Sequence, residues 1–326
     1  MKPAALLLVA SLFGMVSPCL AKPDSGRVWT DPEQAAKEDP DFGIQGEYSG
    51  KGTGVQIIAM GAGRFDAWVM AGGLPGAGAL GERLLLQGQT KEGRVDFRSG
   101  DGKHRATLEG KKLELSLSGK GPMILRKIDR RSPSLGAKPP EDAVVLFDGG
   151  DASEWVNGKV ENGFLMASGA TTKRKFSSYR LHLEFRTPYM PDARGQARGN
   201  SGVYHSGRWE TQILDSFGLE GRDNECGGIY SISKPMLHLC LPPLSWQTYD
   251  VEFVAAKFDA DGKRVAWPRI TVKLNGIVVH EDLELNKDFT TSAPITSPLV
   301  DPQGPIFLQN HGNPVAFRNI WVVPMD

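Results

Sequence analysis

Arg269-Ile270-Thr271-Val272-Lys273-Leu274-Asn275-Gly276-Ile277-Val278-Val279-His280-Glu281 is two runs rich in β-branched residues joined by Asn-Gly. Asn and Gly enter the left-handed region of backbone space at low cost, as a two-residue hairpin turn requires. The stretch therefore reads as a β-hairpin. Working outward from it, similar short runs recur at Val144 to Phe147, Arg180 to Thr187, Gly202 to His205, Trp209 to Leu214, Trp246 to Ala255, Ile306 to Gln309 and Phe317 to Val323. About a dozen short strands across residues 143–326, with no long amphipathic helix between them, predict an all-β jelly-roll sandwich.

The first half is also β-rich. Leu113-Glu114-Leu115-Ser116-Leu117 alternates with period two, the pattern of a half-buried strand. Val55 to Ile57 and Arg64 to Val69 read alike, and Glu92-Gly93, Asp101-Gly102, Glu109-Gly110 and Ser118-Gly119 punctuate the runs as turns. Residues 42–128 are thus expected to form a smaller antiparallel barrel or sandwich, of a role the sequence leaves open. Gly72 to Gly78 lacks the Lys-Ser/Thr and the following helix that a phosphate-cradling loop needs, and reads as a structured turn. Residues 22–41 form a polar N-terminal extension with a short helix over 32–38. Residues 129–142, rich in Pro, Ser and charge, read as a linker.

The chain has 38 Lys and Arg against 38 Asp and Glu, so nothing in its charge balance points to nucleic acid or to an anionic membrane surface. Lys2, the apolar run from Ala4 to Val16, and Cys19-Leu20-Ala21 before Lys22 have the order of a secretory leader over residues 1–21, too short to span a bilayer. Export to the periplasm or the extracellular space is the expectation. Lipid anchoring at Cys19 is the variant, with Pro18 against it. Without the leader only Cys226 and Cys240 remain, and in an oxidising compartment they are expected to pair as one disulfide. Two free buried thiols or a metal site are the alternatives.

The chemistry lies in Gly199-Asn200-Ser201-Gly202-Val203-Tyr204-His205-Ser206-Gly207-Arg208-Trp209-Glu210-Thr211-Gln212-Ile213-Leu214-Asp215. Strand parity puts Arg208, Glu210 and Gln212 on one face, with Trp209, Thr211 and Ile213 on the other. The apolar set suits the space between two sheets. The polar set combines donors and acceptors, as a hydroxyl-rich ligand requires, or else is a solvated outer strand. Tyr204 joins it if the turn at Ser206-Gly207 inserts no bulge. Near the end, Gln309 and His311 share a face and His311 precedes a turn glycine, a frequent place for an acid/base group.

Phe147-Asp148-Gly149, Asn200 to Tyr204, Glu210 to Asp215, and Gly304-Pro305 through Gln309-Asn310-His311-Gly312 with Phe317-Arg318-Asn319-Ile320 resemble, in that order, the 3-keto-disaccharide hydrolase domain over residues 143–326. The resemblance implies a concanavalin-like jelly roll acting on a sugar already oxidised at C3. A C3 ketone acidifies the C2 hydrogen; a base removes it, the enolate expels the C1 substituent, and water then adds to the unsaturated sugar. Such a site needs a base, a group for the oxyanion and a proton source for the leaving group. Glu210 or His311 is the implied base and Arg208 the implied oxyanion partner, with Lys234 a weaker choice. Tyr204, Gln212, Gln309 and Asn200 would bind hydroxyls. No cofactor motif is evident, and a divalent metal could stand in for the cationic group.

Two other functions fit the composition. One is a non-catalytic carbohydrate-binding module, since five of the seven Trp lie in the C-terminal half (Trp155, Trp209, Trp246, Trp267, Trp321). The other is a conventional glycosidase with two carboxylates, about 5–5.5 Å apart for retention or about 6.5–9.5 Å for inversion. That pair cannot come from this strand alone, because Gln212 follows Glu210 at the next same-face position and Asp215 has the wrong parity. Oligomeric state is not legible.

Overall fold

A computed structural model describes residues 26–325; the expected leader and Cys19 lie outside the described residues. Eight strands, from Gly46–Gly50 to Met123–Ile128, pair antiparallel in sequence order, and the last closes onto the first. The first half is therefore a closed barrel, which leaves no open sheet edge. The strand Lys112–Ser116 shows why it folds this way: Leu113 and Leu115 point into the barrel while Lys112 and Glu114 stay outside. Gly88 is required within it, since a Cβ there would lie 2.4 Å from the Phe97 ring. The Gly72 to Gly78 turn is closed by a bridge between Leu74 and Ala77, with Leu74 buried.

The second half is a two-sheet sandwich, as the jelly-roll expectation required. One sheet runs Trp155–Val156, Ala170–Thr172, Phe307–Leu308, Ser201–His205, Trp209–Ile213. The other runs Val160–Glu161, Phe164–Met166, Ala316–Met325, Ser178–Arg186, Gln247–Val254, Arg269–Leu274, Ile277–Glu284, with Val144–Phe147 added beside Ala316–Met325. Asn275 and Gly276, at φ +52° and +80°, turn the last hairpin, and Leu274 faces Ile277 across it. Phe185, Tyr249, Phe253, Leu308, Trp209, Ile213 and Val203 fill the space between the sheets. His205 bridges that core, between the Tyr179 hydroxyl and the Thr211 hydroxyl at 2.9 Å each. Burial lowers its pKa to about 3, so the imidazole is a neutral structural group.

Residues before and between the two units pack onto them. The helix Pro32–Glu38 is capped by Asp31, which accepts from the Gln34 amide. Trp29 pairs with Tyr189 of the sandwich. The 129–142 stretch lies on the outer face of the larger sheet, where Ser134 donates to Asp250 at 2.6 Å and Asn319 donates to the Ala137 carbonyl at 2.9 Å. At the barrel contact, the buried Arg198–Asp215 pair closes to 2.6 Å, and Arg198 also reaches the Ala59 carbonyl and the Gln45 side chain at 3.4 Å.

The expected disulfide is not formed: Cys226 and Cys240 are free and buried. Each end of the loop between them is held without a covalent link, the Cys240 end by the Leu241 amide donating to Gln247 Oε1 at 2.8 Å. The Gln212 amide donates to the Gly228 carbonyl, and the Gly227 amide donates to the Gln212 carbonyl and to the Tyr249 hydroxyl. Burial pushes the Cys240 thiol up, keeping it protonated. Neither thiol is expected to react with an aromatic disulfide reagent in the native protein lacking the leader, and both should titrate once it is denatured. A thiol count of zero under denaturing, non-reducing conditions would show the bond instead.

Candidate functional site

The hairpin of Ser201–His205 and Trp209–Ile213 turns at Ser206 and Gly207, both at positive φ, and its register sets Tyr204 opposite Glu210 and Gly202 opposite Gln212. Those four residues therefore share the face turned away from the core, joined by Phe307 and Gln309 from the neighbouring strand. Gly202 is needed beneath Glu210, because a Cβ there would sit 2.0 Å from Glu210 Oε1.

Glu210 is 2% exposed. The Tyr204 hydroxyl lies 2.8 Å from its Oε2, and Gln309 Nε2 donates to the Tyr204 oxygen at 3.2 Å. Among the described residues, Glu210 Oε1 and Gln309 Oε1 are buried with no hydrogen-bond partner. Buried polar atoms of this kind call for an explanation, and a ligand's hydroxyls are one. Burial raises the Glu210 pKa to about 8, only partly offset by Tyr204, and no second carboxylate contributes to the shift. A carboxyl with a pKa near neutrality suits proton transfer.

Beside it, Gln212 Nε2 donates to Asn200 Oδ1 at 3.0 Å, Asn200 Nδ2 donates to Gln196 Oε1 at 3.0 Å, and the Asn200 amide donates to Asn313 Oδ1 at 2.7 Å. Asn200 and Gln212 thus form a second, satisfied polar group next to the first. A strap, residues 286–303, has neither helix nor strand and crosses this face. Thr290 is hydrogen-bonded to the Arg208 carbonyl and accepts from the Glu210 amide, and the Thr291 carbonyl is 2.9 Å from the Tyr204 hydroxyl.

Three sequence expectations are corrected here. Arg208 does not join Glu210: it lies in the turn before the strand, and its guanidinium donates to the carbonyls of Ser297 (2.5 Å) and Pro298 (3.3 Å), so it holds the strap rather than an oxyanion. His311 is exposed and makes no hydrogen bond among the described residues, because the Gln309–Gly312 turn carries it outward. Lys234 is exposed on the loop that covers the sheet edge, with no bond to the cluster. Thr290, Thr291, Gln196 and Asn313 complete the site and carried no sequence signal; the strap's lack of periodicity hid it. Among the described residues no three His, Cys, Asp or Glu side chains gather as a metal-ligand set. A cavity of about 490 Å³ lies elsewhere, on the barrel, lined by Arg64, Asp66, Gln87 and Arg98. There Gln87 donates to Asp66, and among the described residues none lining it has a buried polar side-chain atom without a partner, unlike Glu210 and Gln309.

A jelly-roll sandwich with a donor-and-acceptor cluster on the outer face of one sheet has the make-up of a site for a hydroxyl-rich ligand. The chain belongs to the family of the 3-keto-alpha-glucoside-1,2-lyase-like domain, which matches residues 142–323. A solved Parabacteroides distasonis ATCC 8503 protein, provisionally named a glycosyl hydrolase, is 33% identical, with 57% of this chain and 85% of that one aligned at a TM-score of 0.51. A second from the same organism, named likewise, is 18% identical over 56% of this chain and 94% of that one, at a TM-score of 0.41. Among curated proteins, none matches.

Proposed function

We propose that the protein cleaves 3-keto-glycosides, with Glu210 as the group that takes the C2 proton. The observation that carries this reading is a single carboxyl, nearly sealed from water, with a pKa of about 8 and no second carboxylate acting on it. Elimination needs one strong base near a hydrogen-bonding group, whereas oxocarbenium chemistry needs two acids flanking the bond. In the first step Glu210 takes the C2 hydrogen as a proton, and the electron pair moves towards the C3 carbonyl. The C1–O bond then breaks, and the departing oxygen takes up the proton that Glu210 removed, which returns the base to its ionised form. Water adds across C1 and C2 to complete a net hydrolysis. Gln309, whose Nε2 keeps a second hydrogen beyond the one given to Tyr204, is the donor near Glu210 for the developing oxyanion, and Gln212 with Asn200 suits the neighbouring hydroxyls. A non-catalytic module would present an open aromatic platform, and here the polar face is covered by the strap. The leader-like start supports export, so the substrate would be met outside the cytoplasm.

Incubation with a 3-keto disaccharide is expected to release a monosaccharide with a transient enone absorbance, and the unoxidised disaccharide is expected to remain intact. Cleavage of the unoxidised sugar at an equal rate would transfer the assignment to a conventional glycosidase. Binding without turnover of either would transfer it to a binding module.

A further inference from the structure

The Tyr204 hydroxyl has one hydrogen and stands 2.8 Å from Glu210 Oε2 and 2.9 Å from the Thr291 carbonyl. Gln309 Nε2, at 3.2 Å, can only donate to it. If Glu210 is a carboxylate, that one hydrogen must choose between two acceptors. If Glu210 is neutral, its own O–H donates to the Tyr204 oxygen, Tyr204 donates to Thr291, and all contacts are satisfied. The strap's other ties to the hairpin are the Thr290 amide to the Arg208 carbonyl at 2.8 Å, the Glu210 amide to Thr290 Oγ1 at 3.1 Å, the Ile295 amide to the Gly207 carbonyl at 3.1 Å, the Trp209 indole to the Lys287 carbonyl at 2.7 Å and the Arg208 guanidinium to the Ser297 and Pro298 carbonyls. Beyond the hairpin, Asp288 pairs with Arg264 at 2.8 Å. At the strap's centre, the Tyr204 hydroxyl adds one hydrogen bond from the polar face to the Thr291 carbonyl, beside the Arg208 guanidinium that holds the Ser297 and Pro298 carbonyls.

We propose that Tyr204 makes closure of the strap depend on the Glu210 proton: a neutral Glu210 directs the hydroxyl to Thr291 and latches the strap, and an ionised Glu210 draws it back and unlatches it. Charged and titratable groups around this pair are few. Tyr230 bears on Tyr204, Arg208 faces the strap with Asp288 and Asp301 acting on it, and Lys287 is tied to the Ser231 carbonyl. In the proposed reaction the site would then open when its base is ready to accept a proton. The inference deepens that reading but rests only on Glu210 binding and losing a proton.

Hydrogen exchange of the full chain without sugar tests it, from about pH 6 to about pH 10, bracketing the Glu210 value of about 8. After correction for intrinsic rates, protection of the Thr290 and Ile295 amides should fall about fivefold to tenfold as the pH rises, the equivalent of one hydrogen bond. Tyr204→Phe should show the lower protection at every pH. Glu210→Gln, whose amide N–H replaces the acid O–H as donor to Tyr204, should show the higher protection at every pH. A flat wild-type profile, a Tyr204→Phe protein as protected as wild type, or a Glu210→Gln protein that keeps the pH dependence would each overturn the latch. Because no sugar is present, such a result leaves the lyase reading standing, and a chain inert on 3-keto sugars leaves the latch standing.

Discussion

Glu210→Gln is expected to lower kcat/KM on a 3-keto disaccharide by about a hundredfold to ten-thousandfold, the range of a lost general base, with sugar binding changed only a few-fold. The substitution is nearly isosteric and keeps a side chain over Gly202, so loss of turnover would report chemistry and not collapse of the hairpin. The wild-type pH profile provides an independent reading. Glu210 must be ionised to act as a base, so kcat/KM should rise about tenfold per pH unit through neutrality and level off above the free-enzyme value of about 8. Stability carries the opposite sign. The native carboxyl holds its proton more tightly than the unfolded one, whose ordinary value is 4.5. Its contribution to folding is full below that value and is lost as the pH climbs through about 8. Unchanged turnover in Glu210→Gln would remove the carboxyl from the reaction.

Arg198→Ala is expected to destabilise the protein by about 3–5 kcal/mol, the cost of leaving a buried charge without its partner. Asp215 is almost fully buried, and its Oδ1 has no hydrogen bond among the described residues, so Arg198 is what compensates it. The same guanidinium reaches the barrel at Ala59 and Gln45, so the loss also weakens the contact between the two units. Chemical denaturation measures the difference. Arg198→Met with Asp215→Leu should recover most of it, since an apolar pair of similar volume removes both the charge and the penalty. A single variant as stable as wild type would mean that water reaches Asp215.

Much of the candidate site was legible because it is local. Period two along Trp209–Ile213 places Glu210 and Gln212 on one face, and no distant contact is needed for that. Asn275-Gly276 announces its own turn, and the barrel strands reveal themselves through alternation such as Leu113 and Leu115. The misplaced residues were those whose surroundings come from far along the chain. Parity pairs Arg208 with Glu210, yet its carbonyl partner Ser297 lies 89 residues away on a segment with no pattern of its own. Strand parity sets His311 beside Gln309, and the turn that follows carries it into solvent. Count and compartment pair Cys226 with Cys240, while in the fold both are buried free thiols and each end of the loop between them is held by its own hydrogen bonds.

The chain's own residue pattern determined the β architecture, the two-unit order and which side chains of each strand share a face, because turn propensity and side-chain alternation act over a few residues. Only the tertiary structure decided that Glu210 is sealed and proton-avid, that Arg208 serves the strap, and that one Tyr204 hydrogen has two claimants. Those properties come from desolvation and from partners folded in from distant segments, and short-range sequence spacing contains neither.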